Sequence, residues 1–192
     1  KTVDGGANWT ELSIGGSVPA QKAADLVATD SGVFDDSDLA LAAESDPHLN
    51  AIVRTASGKL LVMGERGAGF RSDDSGATWR SIRLPYGGSV FGLLALGGDQ
   101  VLSFGLRGNV YQSEDAGNSW RKIDSGTETS LIGGTISSDG TILLVGGNGT
   151  VALRRPGESA FTAKHIQLGN GQTPAFTAAV GDAGAFVLTS DL

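Results

Sequence analysis

The chain has no cysteine, one methionine and two histidines in 192 residues. Without thiols it can form no disulfide, no thiolate metal site and no cysteine nucleophile, and their absence suits a reducing or an oxidising compartment alike. His48 and His165 stand alone, with no second histidine at ligand spacing, so neither a metal nor a cofactor is expected. No apolar run approaches the roughly 18 residues that a membrane-spanning helix needs, and no membrane span is expected. Positive charge is scarce too: the net charge is −7, and no basic stripe exists to displace the counterions of a nucleic acid. Aromatic residues are few, with 7 Phe, 3 Trp and 2 Tyr.

Glycine, by contrast, is abundant at 30 residues, which suits many short strands joined by tight turns better than it suits helices. The acids are also unevenly placed. Between Gly16 and Leu49 lie Asp25, Asp30, Asp35, Asp36, Asp38, Glu44 and Asp46 against Lys22 alone.

One nine-residue pattern organises the rest. It reads KTVDGGANW from Lys1, RSDDSGATW from Arg71 and QSEDAGNSW from Gln112. Each copy places a hydroxyl (Thr2, Ser72, Ser113), an Asp two residues on (Asp4, Asp74, Asp115), a Gly two further (Gly6, Gly76, Gly117) and then Trp9, Trp79 or Trp120. The aspartates are spaced to accept the turn's own N–H groups, helped by the hydroxyls. The glycines supply a positive φ that closes a hairpin. The tryptophans are expected to begin the outgoing strand as buried anchors whose indole N–H finds a partner.

The pattern resembles the BNR or Asp-box repeat of β-propellers, and Gly64-x-x-Gly67 with Ser72 resembles the photosystem II stability/assembly factor-like branch. The first copy departs from the family pattern in carrying Thr2 and Asn8 at the hydroxyl positions. A repeat period agrees with the resemblance. Ser72 to Ser113 is 41 residues, and Gly64, Gly105 and Gly146 keep that spacing, as do Gly67, Gly108 and Gly149 and the leucines Leu61, Leu102 and Leu143.

Each period holds four strand-like runs, the number in a propeller blade. In the second they are SVFGLLALG, QVLSFGLR, GNVYQSED and NSWRKIDS. The expectation is an all-β propeller with blades at about 50–85, 89–126 and 129–168, and with partial blades at 1–15 and 174–192. Residues 1–15 are expected to give a turn and an outermost strand, and 174–192 two inner strands. In the third blade Arg154 and Pro156 replace the hydroxyl and the Asp, so a looser hairpin is expected there. The chain begins at Lys1 without a charged-then-apolar leader, which leads to the expectation of a longer precursor and of an arc or fragment of a ring. The acidic stretch 16–49 is expected to be a helical insertion, with helices over 19–28 and 38–44.

The Asp-box carboxylates are read as structural. Their turns lie on the outer parts of successive blades, too separated to converge on one substrate. Asp35-Asp-Ser-Asp38 lacks the alternating ligands, central Gly and final Glu of an EF-hand loop. A sialidase-like hydrolase needs an arginine cluster, a tyrosine nucleophile with an acid partner, and an Arg-Ile-Pro element before its first Asp-box. Here Arg83-Leu-Pro85 follows Trp79, and only Tyr86 and Tyr111 are available, Tyr111 at the packing position that Phe70 fills one repeat earlier.

Arg66 and Arg107 are 41 residues apart at the turn between second and third strands, and Asn148 takes the same place next. In a propeller that turn shares a face with the blade-to-blade crossover, so Arg66, Arg107, Asn148, Tyr86 and the insertion are expected on one face, opposite the Asp-box turns. The competing account pairs these arginines with the insertion's own acids. The reading is a non-catalytic platform that binds a protein partner or a membrane-protein complex. The resemblance implies an assembly or stability factor, extracytoplasmic (periplasmic or secreted). The alternative is an exo-glycosidase or a propeller that binds a polysaccharide.

Overall fold

A computed structural model describes residues 1–12, 14, 48–182 and 185–191. The helices expected over 19–28 and 38–44 lie outside the described residues. Four antiparallel sheets follow one another along the chain. The first blade is β1 (Leu49–Arg54), β2 (Leu60–Gly64), β3 (Ala68–Ser72) and β4 (Arg80–Arg83). The second is β5 (Val90–Gly97), β6 (Gln100–Gly105), β7 (Val110–Ser113) and β8 (Arg121–Ile123). The third is β9 (Leu131–Ile136), β10 (Ile142–Gly146), β11 (Thr150–Arg154) and β12 (Thr162–His165). A two-stranded sheet, β13 (Phe176–Asp182) and β14 (Ala185–Ser190), begins a fourth blade.

The core lies between blades, where one sheet packs face to face on the next. Leu61, Met63 and Ile82 meet Val90, Val101 and Tyr111. Leu102, Phe104 and Ile123 meet Leu131, Leu144 and Phe161. Leu143 and Val145 meet Phe176, with Phe186 and Leu188 beside it. The leucines that keep the repeat spacing are the middle of this packing: Leu61 and Leu102 are fully buried and Leu143 nearly so. Removing such apolar area from water between successive sheets is what holds the short strands together, while the end sheets keep Ile52, Val180 and Val187 exposed.

The repeated glycines have a common cause. Every first strand enters through a bulge, at Leu49/Ala51, Val90/Gly92 and, in β9, opposite Val145/Gly146. The residue ahead of the strand turns its carbonyl onto the end of the second strand: a Cβ on Gly64 would collide with the His48 oxygen, on Gly105 with that of Ser89, and on Gly146 with that of Ser130. The next glycine of each pair, Gly67, Gly108 and Gly149, has φ of 64°, 66° and 66° and abuts the carbonyl of Tyr86, Thr127 or Ile166. The first carbonyl also accepts a bond, Glu65 N to His48 O at 3.0 Å and Leu106 N to Ser89 O at 3.0 Å. These glycines therefore tie each blade's second strand to its crossover.

Two expectations are corrected. Residues 10–12 form no outermost strand: the only ladder there is Lys1 and Thr10 bonding each other, at 2.6 and 2.8 Å, with no third strand alongside among the described residues. The segment still takes its place in the series, since Leu12 lies against Gly76 as Ile82 lies against Gly117 of the next turn. The tryptophans, second, are not buried. Trp9 is 74% exposed, while Trp79 and Trp120 are half-buried. Each ring lies back over its own turn glycine at the rim of the sheet, leaving its outer face wet. The buried aromatic at this register is Phe161, 5% exposed.

Candidate functional site

The three aspartate turns have one wiring. Ser72 Oγ accepts the Gly76 N–H at 2.7 Å and donates to Asp74 Oδ1 at 2.7 Å. Asp74 then accepts the Thr78 amide at 2.8 Å and the Thr78 hydroxyl at 2.6 Å. Ser113, Asp115, Gly117 and Ser119 repeat this with distances of 2.7 to 2.8 Å. Thr2, Asp4, Gly6 and Asn8 do so at 2.7 to 3.0 Å, with the Asn8 amide in place of the hydroxyl. Gly6, Gly76 and Gly117 have φ of 97°, 90° and 83°. These bonds hold the Asp74 carboxyl at about 2, through the Thr78 hydroxyl, the Thr78 amide and then Ser72. Asp4 is held at about 2 by the Asn8 amide, the Asn8 side chain and Thr2. Carboxylates committed to their own turn are poor candidates for proton transfer to a substrate. The indole N–H of Trp9 reaches Gly6 O at 3.1 Å and that of Trp79 reaches Gly76 O at 3.2 Å, but that of Trp120 is buried without an acceptor, contrary to expectation.

The opposite face carries the second group. Arg66, Arg107 and Asn148 are exposed at the tips of the β2–β3, β6–β7 and β10–β11 turns, in left-handed backbone conformations with φ of 57°, 53° and 52°. Ser75 and Ala116 share that conformation inside aspartate turns, so strain alone does not single the arginines out. Their position does: the turns are bonded to the crossovers, with Gly67 N on Gly88 O at 2.9 Å and Arg107 N on Ser130 Oγ at 3.2 Å. Beside Arg107 an open depression of about 610 Å³ is bordered by Asn109, Lys122, Asp124, Thr127 and Glu128. Tyr86 is a half-buried member of the crossover, its ring stacked 6.1 Å from Tyr111 and its hydroxyl donating to Leu106 O at 3.1 Å. Tyr111 is 6% exposed, and burial raises its pKa, as suits a packing residue. Among the described residues no three His, Cys, Asp or Glu side chains converge as a metal site requires, and no helix is long and apolar enough to cross a membrane.

Sequence reasoning missed two buried arginines. Arg71 and Arg154 are each 7% exposed and each reaches across a blade boundary. The cross-blade role of Arg71 carries no signal in the sequence, because the carbonyls it reaches are 44 and 45 residues away. Arg154 does carry one: it stands in register where Ser72 and Ser113 stand.

No protein-family model and no curated protein matches the chain. Solved structures do. YCF48 bound to a D1 peptide is 18% identical, with a TM-score of 0.58 over 84% of this chain and 50% of that one. Virginiamycin B lyase from Staphylococcus aureus is 17% identical, with a TM-score of 0.61 over 73% and 48%. An ancestral GH74 enzyme is 13% identical, with a TM-score of 0.55 over 70% and 22%. The chain is part of a β-propeller. It spans about half the length of the first two of these proteins or less, and similarity at this level of identity fixes the fold and nothing more.

Proposed function

We propose that this propeller segment is a non-catalytic platform that binds a protein, on the face formed by the crossovers and the β2–β3 and β6–β7 turns. The observation that carries the reading is the placement of two exposed arginines, Arg66 and Arg107, on the short turns 65–67 and 106–109 of successive blades, with the depression beside Arg107. A guanidinium on a fixed turn grips a carboxylate with little ordering cost, and binding residues are commonly carried on loops of a rigid scaffold. A YCF48 propeller with a peptide bound supports the reading by showing what this fold can hold. The partner suited to the site is an acidic segment of a protein or membrane-protein complex, which gives an assembly or stability factor working outside the cytoplasm. Asn148 and Tyr86 complete the face, Asn148 as a neutral contact and Tyr86 as the support of the crossover.

The test is retention of arrayed acidic and neutral peptides by the wild type and by Arg66→Glu/Arg107→Glu. The wild type is expected to keep acidic peptides at low salt, where such contacts are strongest, and the variant to lose them with an unchanged melting temperature. Equal retention by both proteins refutes the assignment. A second reading, a glycosidase or a polysaccharide-binding propeller, draws on Asp124 and Glu128 beside the depression. Against it, Asp124 already accepts the Gly126 amide at 2.9 Å. Turnover of aryl glycosides that is lost in Glu128→Gln would decide for it.

A further inference from the structure

The third blade breaks the pattern of the first two at one point, and charge changes sign there. Arg154 stands in register with Ser72 and Ser113, and Pro156 with Asp74 and Asp115. The turn has therefore lost its aspartate and gained a guanidinium, on the face opposite Arg66 and Arg107.

Arg71 shows what a buried arginine normally requires in this fold. Its Nε and Nη2 both bond Asp73 Oδ1, at 2.8 and 2.6 Å, and its Nη1 bonds the carbonyls of Asp115 and Ala116, each at 3.1 Å. Arg154 is buried to the same 7%. Yet among the described residues its side chain has one hydrogen bond, from Nη1 to the neutral Gln112 Oε1 at 3.0 Å, and its guanidinium lies 5.0 Å over the Phe161 ring. A guanidinium has five N–H donors, and taking it out of water without a counter-charge is costly.

Around Arg154 lies an open hollow of about 190 Å³ between the second and third blades, bordered also by Gln112, Arg121, Arg155, Gly157 and Glu158. Arg121 faces Gln112 directly across the β7–β8 ladder, and its guanidinium has no hydrogen-bond partner among the described residues. The carboxylates nearby are engaged elsewhere: Glu158 accepts the Arg155 amide at 2.8 Å and lies 3.9 Å from its guanidinium, and Glu114 accepts Gln112 Nε2 at 2.6 Å. Neither bonds Arg154 or Arg121.

We propose that Arg154 and Arg121, with Arg155 at the rim, bind one small oxyanion, a phosphate or sulfate group. Forked guanidinium donors match the oxygen spacing of such groups, and bonds to them are charge-assisted. Burial, and then the neighbouring Arg121, lower the Arg154 pKa, against a smaller opposing contribution from the Glu114 carboxylate. The site belongs to neither the crossover face nor the aspartate turns, so its fate is independent of the partner-binding reading.

Thermal melting and calorimetry with sodium phosphate, sodium sulfate and sodium chloride at equal ionic strength test the proposal. Saturable stabilisation by phosphate or sulfate is expected, with none from chloride. Arg154 packs on Phe161 and its replacement risks the fold, so the decisive variant is Arg121→Gln/Arg155→Gln, both exposed. It should melt normally without phosphate and bind phosphate about tenfold more weakly or worse. Glucose 6-phosphate binding at least about tenfold tighter than inorganic phosphate assigns the group to an organic ester, and equal affinity assigns the free ion. Coincident melting curves in phosphate, sulfate and chloride, or undiminished phosphate binding by the double variant, overturn the proposal.

Discussion

Arg71 and Ala116 are joined across a blade boundary, the guanidinium of one donating to the carbonyl of the other at 3.1 Å. The strand that ends one blade's third position is thereby fastened to the aspartate turn of the next, while Asp73 keeps the guanidinium neutralised in a 2.6 Å ion pair.

Replacing Arg71 with Met keeps much of the stem and removes the donors. Because the Ala116 carbonyl then has no donor in a buried setting, the loss expected is about 1–3 kcal/mol. Urea unfolding reads it as a lower midpoint, and an unchanged midpoint would show that the blades dock without this bond.

Ser113 is 1% exposed, and its hydroxyl holds the buried Gly117 N–H. Ser113→Ala is therefore expected to cost about 1–3 kcal/mol. Ser119→Ala, which removes an exposed bond to Asp115, should cost less. Denaturation of the two variants side by side checks the order.

For Asp74 and Asp4 the pH dependence follows from the direction of the shift. Their carboxyls lie at about 2, below the ordinary 3.8, because the folded turn binds the ionised form. Their contribution is present above the ordinary value and is lost as pH falls from there through about 2. Carbon-13 titration of the side-chain carboxyls should give midpoints near 2, and a midpoint at the ordinary value would mean that the turn bonds do not persist in solution.

Arg107 offers a separation of stability from function. Its φ of 53° is one that glycine adopts freely and other L-residues hold at a cost of roughly 1 kcal/mol. Arg107→Gly is expected to leave the melting temperature level or raised while acidic-peptide retention falls. A variant that melts lower and still retains the peptides would assign Arg107 to the fold and not to the partner.

The sequence by itself determined whatever is local or repeated. Every bond inside an aspartate turn spans at most four residues, so the spacing of Ser72, Asp74, Gly76 and Thr78 was enough to specify it. The repeat of Gly64, Gly67 and Leu61 along the chain was enough to fix strand order, and strand order places Arg66 and Arg107 on the crossover face. Tertiary structure alone decided what depends on the neighbouring blade. Trp79 and Phe161 occupy the same register, yet the first is half-buried and the second is 5% exposed. How much of an aromatic ring stays wet is set by the sheet packed beside it, not by the turn that carries it. The same holds for the cross-blade partners of Arg71 and Arg154, which lie 42 to 45 residues away. Asp73 is local to Arg71, but only the stacking of one sheet on the next gave it two carbonyls, and left Arg154 with a single amide oxygen.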